Sequence, residues 1–210
     1  MTLVNDERGL AQGRPPAHDI AAARREDAPR LATALAAAFY DDPVFRWFSP
    51  DDGRRSAMLA PFFAVFAEAY IAHGETYASA GAAGAALWAA PAGDPLGAEQ
   101  AYAERLGEIA GLDAPRLFEI VEALEAHSPS EPHYHLQFLG VHPERQGAGT
   151  GGALMAPVLE RCDRDGTPAY LEATNDRNRA LYERHGFRAT GAIPLPGGPA
   201  LWAMWRDPVA

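Results

Sequence analysis

Gly147, Gly149, Gly151 and Gly152 crowd the stretch that follows an apolar run from Leu136 to Val141. Glycines here remove the Cβ atoms that would hold a ligand away from the main chain. A helix beginning at this point opens with unpaired N–H groups and the positive end of its macrodipole, so a pyrophosphate can rest against it without a lysine. The chemistry implied is phosphate binding by backbone amides at a strand–turn–helix junction.

Three phosphate-binding patterns compete for these residues. A P-loop needs lysine and then serine or threonine after its last glycine, and none follows. A dinucleotide fingerprint is satisfied by Gly147, Gly149 and Gly152, with Glu172 where a ribose-binding carboxylate belongs. Those glycines, however, lie several residues past the strand, and the chain remaining is too short for a doubly wound domain. The third pattern, the acyl-CoA motif Q/RxxGxG/A, is spelled Gln146, Gly147, Ala148, Gly149, Thr150, Gly151. It alone also gives a use to the downstream NDRNRALYERHGF, Asn175 to Phe187.

With these two segments the chain resembles the GNAT superfamily of CoA-dependent N-acyltransferases, and more narrowly the puromycin N-acetyltransferase type. Further parallels are ALWAAP at Ala86 to Pro91, Glu131–Pro132 before the motif strand, LEAT at Leu171 to Thr174, and Pro157 inside the motif helix; the likeness runs from His18 to Asp207. It implies a mixed α/β fold, a central sheet of about seven strands flanked by helices, with the central strands splayed. It also implies acetyl-CoA as co-substrate and direct acetyl transfer to the amine of a small molecule, puromycin-like or another primary amine.

The resemblance assigns roles by motif. Leu139 and Val141 would offer backbone groups to the pantetheine arm, Gln146 to Gly151 would cradle the diphosphate, and Asn178 would touch the CoA arm. Tyr182 matches the tyrosine that protonates the departing sulfur. For the base that takes the amine proton two candidates stand: Glu172, at the end of a strand facing the cleft, and His135, which shares a strand face with His133 and Gln137. Tyr40, Asp41, Asp42 and Trp47 fall in the turn after the first helix, where acceptor loops lie in this family. Two departures are visible: Thr150 replaces an aliphatic residue, and Ala148 a frequent basic one.

Composition bounds these readings. A length of 210 residues fits one domain, taken as residues 18–210 behind a flexible tail, residues 1–17. The formal charge of −10 argues against nucleic acid as a partner and mildly favours a cationic one. A single cysteine, Cys162, cannot form an internal disulfide, no apolar run reaches the roughly 18 residues of a membrane span, and no signal-like start is present, which points to the cytoplasm. His133 and His135 form an HxH pair that could face a zinc ion with Glu131 or His142, but the expected chemistry requires no metal. The pattern leaves monomer or homodimer open, and two other functions remain in contention: a non-catalytic acyl-CoA sensor and a protein or peptide acetyltransferase.

Periodicity supplies the elements that must carry these groups. Strands are predicted at Asp19–Arg24, Glu75–Ser79, Ala85–Ala90, His133–Val141, Pro168–Ala173, Phe187–Ile193 and Leu201–Arg206. Helices are predicted from Asp27 to Tyr40, Arg54 to His73, Gly97 to Ala110, Ala114 to His127, Gly149 to Asp163 and Arg177 to His185, with Pro157 expected to kink the fifth. DDPVFRWFSPDD reads as a turn-rich segment. An aromatic set, Phe39, Tyr40, Phe45, Trp47, Phe48, Phe62, Phe63, Phe66 and Tyr70, can either fill the core or line an acceptor pocket.

Overall fold

The structure, a computed structural model, describes residues 19–91 and 93–209. The expected tail, residues 1–17, lies outside them. Seven strands form one sheet in the order β1-β2-β3-β4-β5-β7-β6. They are β1 (Ile20–Ala22), β2 (Glu75–Ser79), β3 (Gly84–Ala89), β4 (Tyr134–Val141), β5 (Ala169–Ala173), β6 (Arg188–Pro194) and β7 (Ala200–Arg206). Only β4 and β5 run parallel, as a strand–helix–strand crossover requires. The mixed α/β sheet expected from the sequence is the one observed.

Among the described residues seven helices flank it: α1 (Ala28–Phe39), α2 (Pro43–Phe48), α3 (Asp52–His73), α4 (Gln100–Ala110), α5 (Ala114–His127), α6 (Thr150–Asp165) and α7 (Asp176–Glu183). Leu31, Leu35 and Phe39 recur at helical spacing along α1 and all are buried. The segment read as turn-rich instead forms α2, because Asp42 caps it by accepting from the Val44 amide at 2.9 Å and Pro43 occupies the first turn. Its apolar residues Val44, Phe45 and Phe48 are buried. On α5, Leu117, Ile120 and Leu124 pack inward, while Phe118 and Val121 are exposed. The motif helix α6 continues across Pro157 to Asp165.

Two cores sandwich the sheet. On one face α1 and α3 bury Phe39, Phe45, Phe48, Phe62, Phe63 and Phe66, which therefore serve packing. On the other, α6 buries Leu154, Met155, Val158, Leu159 and Cys162 against Leu136, Val141 and Leu171. Burial also pushes the Cys162 thiol up to about 11. By length and hydropathy α3 could cross a membrane, yet half of that stretch is buried inside the fold.

The central strand carries one irregularity that organises the site. Opposite β3, Phe138 pairs with Leu87 and Leu136 with Trp88, so Gln137 is an extra residue in β4, a β-bulge. Before it, Leu136 belongs to the α6 side; after it, Phe138 packs on the α3 side, with Phe66 at 4.8 Å and Phe63 at 5.1 Å between ring centroids. Gln137 reaches α3 as well, through Tyr70. Two successive side chains thus face one helix, which regular alternation forbids.

Phe138 ties the bulged strand to α3, and Phe138→Ala should cost about 3 kcal/mol by leaving a cavity, whereas Phe138→Leu should cost about 1 kcal/mol. Urea unfolding of the three proteins checks the order; equal midpoints for wild type and the alanine variant would show that the ring is not what holds β4 there.

Candidate active site

The bulge shifts which residues of β4 point their amides toward β5. At the start of the strand the Tyr134 N–H donates to the Pro168 carbonyl at 2.9 Å, so even-numbered residues face β5. Beyond the bulge the His142 N–H donates to the Ala83 carbonyl at 2.8 Å, which by antiparallel alternation assigns Phe138 and Gly140 to β3 and turns Leu139 and Val141 the other way. Pairing with β5 has ended by then, its last rung being Leu136 with Leu171. The strands are splayed, and Leu139 and Val141 present main-chain polar groups to the open edge.

A cleft of about 800 Å3 runs along this edge and past the start of α6. Leu139, Val141, Gln146, Gly147, Gly149, Thr150, Gly151, Asn178 and Tyr182 all line it, so the structure brings the sequence motif and the downstream tyrosine together. Gly147 and Gly149 have φ of 80° and 85°, a left-handed backbone that a Cβ would strain. The first hydrogen bond of α6 runs from the Ala153 N–H to the Gly149 carbonyl, which leaves the preceding N–H groups without helical acceptors. Gly152 answers a different need: a Cβ there would lie 2.7 Å from the His185 ring. Gln146 also acts inward, its side-chain amide donating to the Val141 carbonyl at 2.9 Å and closing the loop.

Three arginines that sequence reasoning passed over, Arg145, Arg177 and Arg184, line the same cleft. They offer the positive charge that Ala148 does not. Their signal was faint, since only Arg145 adjoins the motif.

The residues placed in the acceptor turn separate. Asp41 and Asp42 line the 800 Å3 cleft. Asp42 is buried and committed to structure, accepting from Val44, from the Thr174 hydroxyl and from the Asn175 amide; burial raises its carboxyl above the usual range. Tyr40 lies under the Arg55 guanidinium, 4.6 Å from its centroid. Trp47 is covered by Arg116 at 5.2 Å and pressed by the β6–β7 turn at Gly198. Neither Tyr40 nor Trp47 lines a cleft described here.

A second cleft, of about 340 Å3, opens on the α3 side of the splayed strands. Its lining includes Tyr70, His133, His135 and Gln137, with Asp94 and Glu131 among its polar groups and Ala89, Ala90, Pro129 and Pro132 among its apolar ones. His135 Nε2 lies 2.9 Å from Glu172 Oε2. Burial alone would push this imidazole down, but the Glu172 charge and hydrogen bond outweigh it, and His135 titrates above its ordinary 6.5. His133 is shifted the other way by burial, and its Nδ1 donates to the Glu131 carbonyl at 2.6 Å. Among the described residues no three His, Cys, Asp or Glu side chains converge as a metal site would need.

Tyr182 and Tyr170 flank Glu172 in electrostatic reach. Burial, reinforced by Asp42 and Glu172, raises the Tyr182 phenol well above its usual value, so it holds its proton at neutral pH. Tyr170 is raised by burial and by Glu172; its hydroxyl is close enough to feel that carboxylate but lacks the geometry of a hydrogen bond to it.

Comparison with known proteins agrees with this architecture. Residues 102–187 match the model of the acetyltransferase (GNAT) family. An uncharacterized N-acetyltransferase of Schizosaccharomyces pombe is 26% identical over 184 residues, 77% of this chain and 71% of that one. A Corynebacterium glutamicum crystal structure, described as histone acetyltransferase HPA2 and related acetyltransferase, superposes with a TM-score of 0.71 at 29% identity, covering 92% of this chain and 98% of the other. Arylalkylamine N-acetyltransferase 2 of Aedes aegypti shares the fold, with a TM-score of 0.61 and 13% identity over 90% of this chain and 97% of its own. Glycine cradle, parted strands and cleft tyrosine agree with what the chain is similar to, the acetyltransferase (GNAT) family, whose model matches residues 102–187.

Proposed function

We propose that the enzyme transfers acetyl from acetyl-CoA directly to the amine of a small molecule. One observation carries the reading: beside the strand parted by the bulge at Gln137 lie two clefts, one along the glycine loop at the start of α6 and one at His135 and Gln137. The Gly147–Gly151 amides, Arg145, Arg177 and Arg184 suit the phosphates of CoA, and the open edge at Leu139 and Val141 suits an amide-bearing arm. Acetyl-CoA supplies an activated thioester; the residues supply proton traffic and position.

His135 is the better placed base. It lines the acceptor cleft, whereas Glu172 stands behind it and fixes its tautomer. In the neutral ring Nε2–H donates to Glu172, leaving the Nδ1 lone pair for the amine proton. The amine nitrogen then forms its bond to the acetyl carbon, the carbon–sulfur bond breaks, and the leaving sulfur takes the Tyr182 proton. Ala89 and Ala90, from the puromycin-type ALWAAP segment, wall the acceptor cleft, which supports a puromycin-like or other primary amine. A cleft of about 340 Å3 suits a small molecule better than a protein surface.

Thiol release with acetyl-CoA and a panel of amines tests the activity; calorimetry showing no heat with CoA, or no turnover on any amine, refutes it. Tyr182→Phe should lower kcat about 10²-fold with little change in CoA affinity. Gly149→Ala should weaken CoA binding at least about fivefold, since forcing a Cβ into the left-handed region costs about 1 kcal/mol or more.

The pH dependence follows from the His135–Glu172 pair. A base raised above 6.5 is fully competent only above that higher value, so kcat/KM should climb along a limb centred above 6.5. Glu172→Gln removes the charge, burial then dominates, and the imidazole should titrate below 6.5 as followed by its NMR ring-proton shift. An unmoved midpoint would dissolve the pair. The sign for stability is opposite: the contribution of a raised histidine is complete below its unfolded value and is lost as pH rises through the folded one.

A further inference from the structure

We infer that Gln137 selects the acceptor, and that the preferred amines carry an uncharged hydrogen-bond-accepting oxygen one carbon away, as in an α-amino amide. This deepens the proposed transferase reading and rests on it.

Alternation from Leu136, which faces α6, sets the Gln137 side chain on the α3 side, and the bulge leaves it unpaired with β3 there, where it lines the acceptor cleft beside His135. Tyr70, almost wholly buried on α3, donates its hydroxyl proton to Gln137 Oε1 at 3.1 Å. That bond fixes the amide: with the oxygen held by Tyr70, the Nε2 group is the end left to serve the cleft, and it can only donate. Burial raises the Tyr70 phenol, with Asp94 and Glu172 adding to the effect, so it remains a donor across the working range of pH. A donor pinned next to the base asks for an oxygen near the reacting nitrogen.

Charge decides which oxygen. Asp94 and Glu131 line the cleft, and Glu172 lies behind His135. A carboxylate on the acceptor would meet three others and bring no cation to answer, whereas an amide carbonyl offers the oxygen without the charge. Apolar neighbours, Pro129, Pro132, Ala89 and Ala90, leave the donor few competing partners. A site built to pair a donor discriminates strongly against an analogue that cannot accept.

Three nearly isosteric probes test this: glycinamide, isobutylamine and glycine, each with acetyl-CoA. Comparing variants with wild type on each probe cancels the different basicities of the amines. Gln137→Leu should lower the glycinamide-to-isobutylamine ratio of kcat/KM about tenfold or more, Gln137→Glu should do the same because a carboxylate cannot donate, and Tyr70→Phe should lower it less. Glycine should be a poorer substrate than glycinamide. Saturation-transfer NMR on the CoA-bound protein reads the same preference as binding. An unchanged ratio in Gln137→Leu, with both amines still turned over, overturns this inference and leaves the transferase standing; no turnover or binding of any amine by wild type overturns both.

Discussion

One extra residue in one strand governs the geometry. Without the bulge at Gln137, even-numbered amides of β4 would face β5 along its whole length, and ladder bonds could continue past Leu136. With it, pairing stops, the strands part, and Leu139 and Val141 turn their polar groups to the opening. A bulge costs a ladder bond and leaves a residue unpaired, so something must hold it. Phe138 does so on the α3 side, among Phe39, Phe45, Phe63 and Phe66, while Leu139 and Val141 pack toward α6. Opposed packing on the two faces fixes the register beyond the irregularity.

A second constraint is electrostatic. Glu172 sits on β5, little exposed, with an imidazole on one side and phenols nearby. A buried carboxylate is tolerable when charge and hydrogen bonds answer it, and His135 at 2.9 Å does both. The same charge raises Tyr70, Tyr170 and Tyr182. One carboxylate therefore makes a stronger base of the histidine and a firmer proton holder of the tyrosine.

Much of this was legible in the residues. The glycine pattern foretold the left-handed turn before α6 because positive φ values are local properties, and Leu31, Leu35 and Phe39 announced α1 by spacing alone. The seven-strand mixed sheet followed from the order of elements. Less visible was anything that depends on register. Alternation placed His133, His135 and Gln137 on one face, and the structure agrees; what it could not show is the bulge that turns Phe138 to that same face, which no periodicity in the sequence marks. The turn after α1 misled for a related reason: its prolines and aspartates signal both turns and helix starts, and only the burial of Val44, Phe45 and Phe48 settles it as α2. Tyr40 and Trp47, adjacent in that segment to the cleft-lining Asp41 and Asp42, are drawn off by Arg55 and Arg116 from elements distant in sequence.

Net charge and ligand charge stand in tension here. A chain with a formal charge of −10 repels a polyanion at long range, so a site for CoA phosphates must invert the local field. Backbone dipoles at the start of α6 contribute to this without changing the net charge, and Arg145, Arg177 and Arg184 outnumber Asp41 and Asp42 in the same cleft. The other cleft keeps the sign of the whole molecule, with Asp94 and Glu131 on its walls. In the proposed transfer, an anionic donor would be drawn to the first cleft and a cationic acceptor to the second.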